Sequence, residues 1–408
     1  MEASPLSEGV FPSPFPPHEI HGSRGDPGFA GEGQGEGAPI DLAALRRDEF
    51  PVTERWAWFN HATYSPPPRR AVDAVARFLT TMSRGELLEG GWSEGVDRAR
   101  VKAGRLVGCL PDDVAFLKSA AEGVGVVALG LDWNPGDQVI VYDQEFPAGA
   151  FPWLNLGHLG VEVRLIRDGG RRRFEVEDVE ALLTPRTRVV CLGLVNFANG
   201  FRAPVEAIGR LCRERGVLLV VDATQALGAL RVDVRGLGCD VLVAHGYKFM
   251  MAGYGTALCY FSPGVRGRLR VPEPGWKSLR DNSDRTAVPE HGLDFAEEAR
   301  RFEPSIQDVA SIAAMEACID LIEELGTAAI EELVLGNAAA VTSAVESRGY
   351  RVISSRLDGE RSGIISLAEE GTDATAIQRR LRERDVACVV RGGRVRLAVH
   401  FYNDAGAR

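Results

Sequence analysis

The stretch from Val217 to Tyr260, VLLVVDATQALGALRVDVRGLGCDVLVAHGYKFMMAGYGTALCY, constrains this chain more than any other. VLLVVD, DVLVAHG and the GTALCYF that follows are short apolar runs, rich in β-branched residues and bounded by Gly or polar residues. Runs of that kind read as buried strands. Asp222 closes the first run, and Lys248 stands just past the second. Open α/β sheets gather their ligands beyond the carboxyl ends of the strands, so both ionisable groups are expected at one site. Taken singly, Asp222 would cap a strand and Lys248 would be a surface lysine. Their pairing at neighbouring strand ends points to chemistry instead.

An acid at one strand end and a lysine at the next is what pyridoxal 5'-phosphate (PLP) requires. The cofactor is held as a Schiff base on Lys and draws electrons from the Cα of an amino acid into its ring. A carboxylate beside the ring nitrogen raises that nitrogen's pKa and strengthens the sink. Lys248 is the expected attachment point and general base, and Asp222 the expected nitrogen partner.

VDATQALGALRVDVRGLGCDVLVAHGYKFMMAGYGTALCYF resembles the class V aminotransferase family of fold type I PLP enzymes, which includes cysteine desulfurases and isopenicillin N epimerase. The resemblance runs from about Trp58 to Asn403. It implies that Gln225 contacts the cofactor's phenolic oxygen, that Asn196 lies near that oxygen, and that His245 and Tyr247 bind the phosphate. SAAEG after the VAFL strand opens a helix whose free N–H groups suit an anion. The family holds phosphate there with hydroxyl residues where Ala120 and Ala121 stand, which leaves backbone contacts helped by Ser119. Phe146 matches the aromatic residue that stacks on the pyridine ring. Arg396 in RVRLAVHFYN matches the arginine that clamps the substrate carboxylate in two parallel charged hydrogen bonds, with Arg391 and Arg394 as nearby rivals. Asn60 and His61 match a turn near that carboxylate, although a structural role for His61 is an equal reading. In the family the loop matched by Gly253, Gly255 and Thr256 reaches the partner subunit's phosphate, so the resemblance implies a homodimer with shared sites.

Alternating strands and helices predict an α/β fold. A mostly parallel, helix-flanked sheet forms a large PLP-binding domain over 46–327, its first part also contributing to a small C-terminal α+β domain over 328–408. Residues 1–45 are Pro-, Gly- and Glu-rich and read as a disordered tail, in which His18 and His21 carry no metal site. QVIVYDQEFPAGAFPW reads as a strand and a loop. The net charge of −10 argues against nucleic acid or an anionic membrane as partner, and no segment reads as long and apolar enough to span a bilayer. Seven scattered Cys without metal-ligand or disulfide spacing suggest buried thiols in a reducing, cytoplasmic compartment.

The expected partner is a small-molecule amino-acid substrate attacked at Cα. Epimerisation or C–S β-elimination ranks ahead of transamination. Cysteine desulfurase ranks lower, because Cys388 lies inside an apolar strand pattern with no room for a mobile cysteine loop before Arg396. A non-catalytic α/β binding protein ranks low as well, since a G-x-G-x-x-G unit and a Walker A motif are missing.

Overall fold

In the computed structural model, residues 41–87, 91–281, 283, 288–368 and 373–404 are described. Residues 1–40, most of the expected tail, lie outside them. Residues 41–45 are not tail. Leu42–Glu49 forms α1, and the Asp41 side chain caps it by accepting from Ala44 N at 3.0 Å. Next come β1 (Ala57–Trp58), α2 (Arg69–Ser83) and α3 (Gly91–Val107). The central layer starts with β2 (Val114–Leu117), α4 (Ala120–Gly130), β3 (Gln138–Tyr142), α5 (Pro147–Leu154) and β4 (Glu162–Ile166). It continues through α6 (Val176–Glu180), β5 (Thr187–Gly193), α7 (Val205–Arg215), β6 (Leu218–Asp222), α8 (Val234–Leu237), β7 (Val241–His245) and β8 (Ala257–Phe261). After α9 (Pro263–Arg266), two long helices follow, α10 (Val309–Leu325) and α11 (Thr327–Glu346). The chain closes with β9 (Arg351–Val352), β10 (Ile364–Ala368), α12 (Ala374–Arg382), β11 (Val386–Ala387), β12 (Val389–Arg391) and β13 (Arg394–Ala398).

The three runs of the organising stretch are β6, β7 and β8. They lie in a seven-stranded sheet of order β2-β8-β7-β6-β5-β3-β4. β8 runs antiparallel to both its neighbours while the other pairs are parallel, which makes the sheet mostly parallel. The reversal follows from chain length, because β7 and β8 are joined by a short loop with no crossover helix. One face carries Leu219, Val221, Leu242 and Ala244, the other Leu218, Val220, Val241 and Val243, and each belongs to its own core cluster. Both faces are covered, so these strands read as continuous apolar runs without alternation.

α5 stands where the sequence suggested a loop. Pro147 at its first turn costs no hydrogen bond there, and Phe146 is its N-cap residue. The C-terminal strands form an antiparallel sheet of order β12-β13-β10-β9, and β1 pairs with β11. Cys388 falls in the break between β11 and β12, not within a strand, and is buried. Contrary to expectation, α11 is by length and composition apolar enough to cross a bilayer. Its Ile330, Val334, Ala338 and Thr342 are buried against the protein, and its Glu331 is ion-paired with Arg202 and Arg231. Gly228 has a φ of +94°, and a Cβ there would lie 2.3 Å from the Phe249 carbonyl oxygen. Only glycine lets this turn pass so close to the segment after Lys248.

Candidate active site

Parallel pairing of β6 with β7 sets the carboxyl ends of both strands side by side. Asp222 Oδ1 accepts from Thr224 N at 2.8 Å, and Thr224 Oγ1 accepts from His245 N at 3.1 Å, which ties the two ends together. Lys248 is reached by the turn after β7. It borders a pocket together with Glu145, Phe146, Gly193, Asp222 and Gln225. Lys248 is 6% exposed, and burial pushes its amine down to about 8. The Asp222 charge opposes that shift, and the positive charges of Arg396 and Arg391 add to it. Among the described residues Lys248 has no ion pair within 4 Å, and its Nζ lies 5.1 Å from the centre of the Phe146 ring.

Gln225 donates through Nε2 to the Ala62 carbonyl at 3.1 Å, and its buried Oε1 has no partner among the described residues. His245 also borders the cavity. Its Nε2 accepts from Ala120 N at 3.4 Å, and burial pushes it down to about 4, so the ring is neutral. Ala120 and Ala121 form the first turn of α4, whose cap Ser119 accepts from Glu122 N at 3.1 Å. The Ser119 hydroxyl oxygen is thus engaged in the cap. Tyr247 stacks on Tyr254 with ring centres 4.6 Å apart.

Arg396 is 1% exposed. Its Nη1 donates to the Phe197 carbonyl at 2.5 Å and its Nη2 to Thr63 Oγ1 at 2.7 Å, while Nε has no partner among the described residues. Burial, and then the nearby Arg391 charge, lower it to about 9, so it is still a cation at neutral pH. The head group is held in place with a donor to spare, which suits a carboxylate.

Four sequence-derived candidates sit elsewhere. Asn196 does not line the cavity. Its Oδ1 accepts from Ala198 N and Asn199 N at 2.9 and 3.2 Å, and its Nδ2 donates to the Gln144 carbonyl at 2.9 Å, so the amide is spent on its own turn and on the Gln144 backbone. His61 is wholly buried, bonded through Nδ1 to Ser65 Oγ at 2.8 Å and packed edge-on against His400 and Tyr402. Burial holds its ring well below the usual histidine range, which fits the structural reading. Asn60 is bridged by its backbone to Ala398, and its Oδ1 is buried without a partner among the described residues. Thr256 borders a different pocket, with Leu117, Glu122 and Glu303.

Sequence reasoning missed Glu145. Its carboxylate accepts from Phe146 N at 2.8 Å and from Gly193 N at 2.7 Å, and burial pushes it up to about 7. It joins the end of β5 to the start of α5 and aims the Phe146 backbone. An acid in an apparent loop reads as solvated, so only its place directly before Phe146 hinted at this.

A large mixed sheet with a lysine and a carboxylate at adjacent strand ends defines a PLP enzyme of fold type I. Residues 57–405 match the family "Aminotransferase class-V", and the chain belongs to that family. It is similar to a "probable cysteine desulfurase" of Methanothermobacter thermautotrophicus, 25% identical over 88% of this chain and 94% of the relative. It is also similar to the isopenicillin N epimerase of Amycolatopsis lactamdurans, 26% identical over 75% of this chain and 80% of the relative. A solved complex of the cystine C–S lyase C-DES with its reaction product cysteine persulfide shares the fold, with a TM-score of 0.78. That likeness is 20% identical and covers 87% of this chain and 96% of the other.

The cofactor of this enzyme is PLP, and the residues present fit it. The cavity offers a lysine amine lowered to about 8, a carboxylate at the neighbouring strand end, an aromatic face and an amide with one free end.

Proposed function

We propose that the enzyme cleaves the Cβ–S bond of a cysteine-type amino acid by β-elimination. Its relatives' names weigh towards cysteine desulfurases, which the sequence reading ranked low, and so a sulfur-bearing substrate moves to the front. The thiols carry the choice between elimination and desulfuration. All seven cysteines are free, and all except the half-buried Cys109 are buried. Burial pushes Cys388 up to about 11 and Cys109 and Cys212 up to about 12, and it raises the other four as well. A thiol receives sulfur as a thiolate, and none of these is poised to be one.

Bound PLP supplies the electron sink at Cα. Lys248 holds it covalently and, once released by the substrate amine, takes the Cα proton on Nζ. Its lowered pKa leaves a usable fraction of neutral amine near pH 8. The Cβ–S pair of electrons leaves with sulfur as a thiolate. Asp222 would hold the ring nitrogen protonated, Phe146 would give the ring an aromatic face, and the free end of the Gln225 amide would serve the phenolic oxygen. His245, Tyr247 and the first turn of α4 at Ala120 and Ala121 would hold the phosphate, with the Ala120 N–H turning to it from His245 Nε2. Arg396 orients the carboxylate so that one Cα bond is presented to the base. The reading includes a homodimer. Its support is Thr256, whose buried hydroxyl has no partner among the described residues and lies off its own subunit's Lys248 cavity. The division into domains at 327/328 belongs to the same reading and coincides with the start of α11.

Cysteine incubated with the holoenzyme decides the chemistry. Elimination yields equal sulfide, ammonia and pyruvate with uptake of one water, whereas desulfuration yields alanine and enzyme-bound sulfur. Alanine as the main product would overturn the proposal. Epimerisation is the second reading, favoured by the likeness to isopenicillin N epimerase. It would show as deuterium exchange at Cα and the opposite enantiomer, without sulfide.

Cys388→Ser is expected to keep turnover within about twofold, since Cys388 packs beneath the C-terminal sheet. Mass spectrometry after cysteine treatment checks the same point, and a persulfide on Cys388 would restore the desulfurase reading.

Arg396→Lys is expected to raise KM and also reduce kcat. Lysine keeps the charge and loses the planar two-point hold, and one lost charged hydrogen bond costs about 1.5–3 kcal/mol, or about ten- to a hundredfold. Steady-state kinetics on cysteine, with Arg394→Lys as control, measures this. A damaging Arg394→Lys beside a benign Arg396→Lys would move the clamp to Arg394.

A further inference from the structure

The site has a second cation that neither the cofactor nor the α-carboxylate uses. β12 and β13 pair antiparallel with Val389 opposite Arg396 and Arg391 opposite Arg394. Side chains alternate between the faces of a strand, so Arg391, Arg394 and Arg396 all lie on one face of this hairpin. Like charges directly opposite one another destabilise a strand pair, and here Arg391 faces Arg394 with Arg396 beside them. The Arg394 guanidinium turns back towards the Gly392 carbonyl at 3.4 Å. Arg396 is buried and held by Phe197 and Thr63. Arg391 is exposed, and among the described residues no acid pairs with it and no hydrogen bond holds it. The register puts it on the same face as Arg396, and its charge bears on both Lys248 and Arg396. An unneutralised cation in a chain of net charge −10, set beside the carboxylate clamp, is a site awaiting an anion.

We infer that Arg391 binds a second anionic group of the substrate, so that the preferred substrate is a cysteine-type amino acid whose sulfur substituent ends in a carboxylate or sulfonate. The inference rests on the reading of Arg396 as the α-carboxylate clamp. With one carboxylate on Arg396 and Cα at Lys248, a substituent on sulfur reaches outward to the open edge of the hairpin. A guanidinium there offers two parallel N–H donors to an oxyanion and rejects an uncharged end.

The test is competitive binding to the holoenzyme, followed by calorimetry, with glutarate compared to butyrate, and kcat/KM for S-carboxymethylcysteine compared to S-ethylcysteine. The wild type is expected to prefer the doubly anionic member of each pair by about tenfold. Arg391→Gln is expected to abolish that preference while Arg394→Gln retains it. A wild type without the preference, or an Arg391→Gln enzyme that keeps it, overturns the inference. Failure of the underlying reading looks different, because Arg396→Lys would then leave both butyrate and glutarate affinities unchanged.

Discussion

Lys248→Ala is expected to lose turnover by a factor of at least about 10³, and to lose the covalent attachment of PLP while retaining the fold. The wild-type enzyme should be yellow, and borohydride reduction followed by peptide mapping should place a pyridoxyl group on Lys248. Two roles vanish together in the variant. General base catalysis alone contributes about 10²–10⁴, and the exchange of one imine for another, which speeds substrate capture, disappears with it. The protein should tolerate the change, because Lys248 has no ion pair within 4 Å among the described residues and its ammonium is already penalised by burial. A mapped adduct on a different lysine, or turnover close to wild type, would remove Lys248 from the centre of the mechanism.

Asp222→Asn is expected to lower kcat by about 10²–10³, the range seen when one preorganised electrostatic partner of a transition state is removed. Asparagine is nearly isosteric and keeps an oxygen to accept from Thr224 N, now at 2.8 Å from Asp222 Oδ1, so the tie between β6 and β7 survives. What is lost is the charge that stabilises a protonated ring nitrogen. That charge matters most when electrons flow into the ring, so KM should change little and kcat much. Rapid-quench measurement of deuterium loss from Cα-labelled cysteine reports the step directly. An unchanged exchange rate would show that another group faces the nitrogen.

These two residues were legible from the sequence because local rules govern them. β6 and β7 are unbroken apolar runs, and a polar residue just past such a run sits at the carboxyl edge of the sheet wherever the strand ends up. Phe146, Gln225, His245 and Arg396 came from their resemblance to family motifs, and the structure brings the first three to the cavity of Lys248 and places Arg396 within reach of its charge. The resemblance did less well where a side chain has local work to do. The Asn196 amide closes the 196–200 turn beside it, and His61 fills an aromatic cluster with His400 and Tyr402 from the far end of the chain. Pro147 opened a helix where the QEFPAGAFPW stretch read as a loop, because Pro at a first turn is neutral and the sheet face offered α5 something to cover.

The amino-acid sequence by itself determined the strand–helix alternation, the placement of Asp222 and Lys248 at strand ends, and hence the cofactor, because hydrophobic periodicity and chain polarity act over a few residues. Only the tertiary structure decided which partners converge. The bond from Gly193 N to Glu145 and the Phe197 and Thr63 contacts that immobilise Arg396 join segments whose distance along the chain carries no signal, and the burial that silences the thiols needs the assembled core. Close packing and desolvation, which set those contacts and the proton affinities that follow from them, exist only once the sheet is assembled.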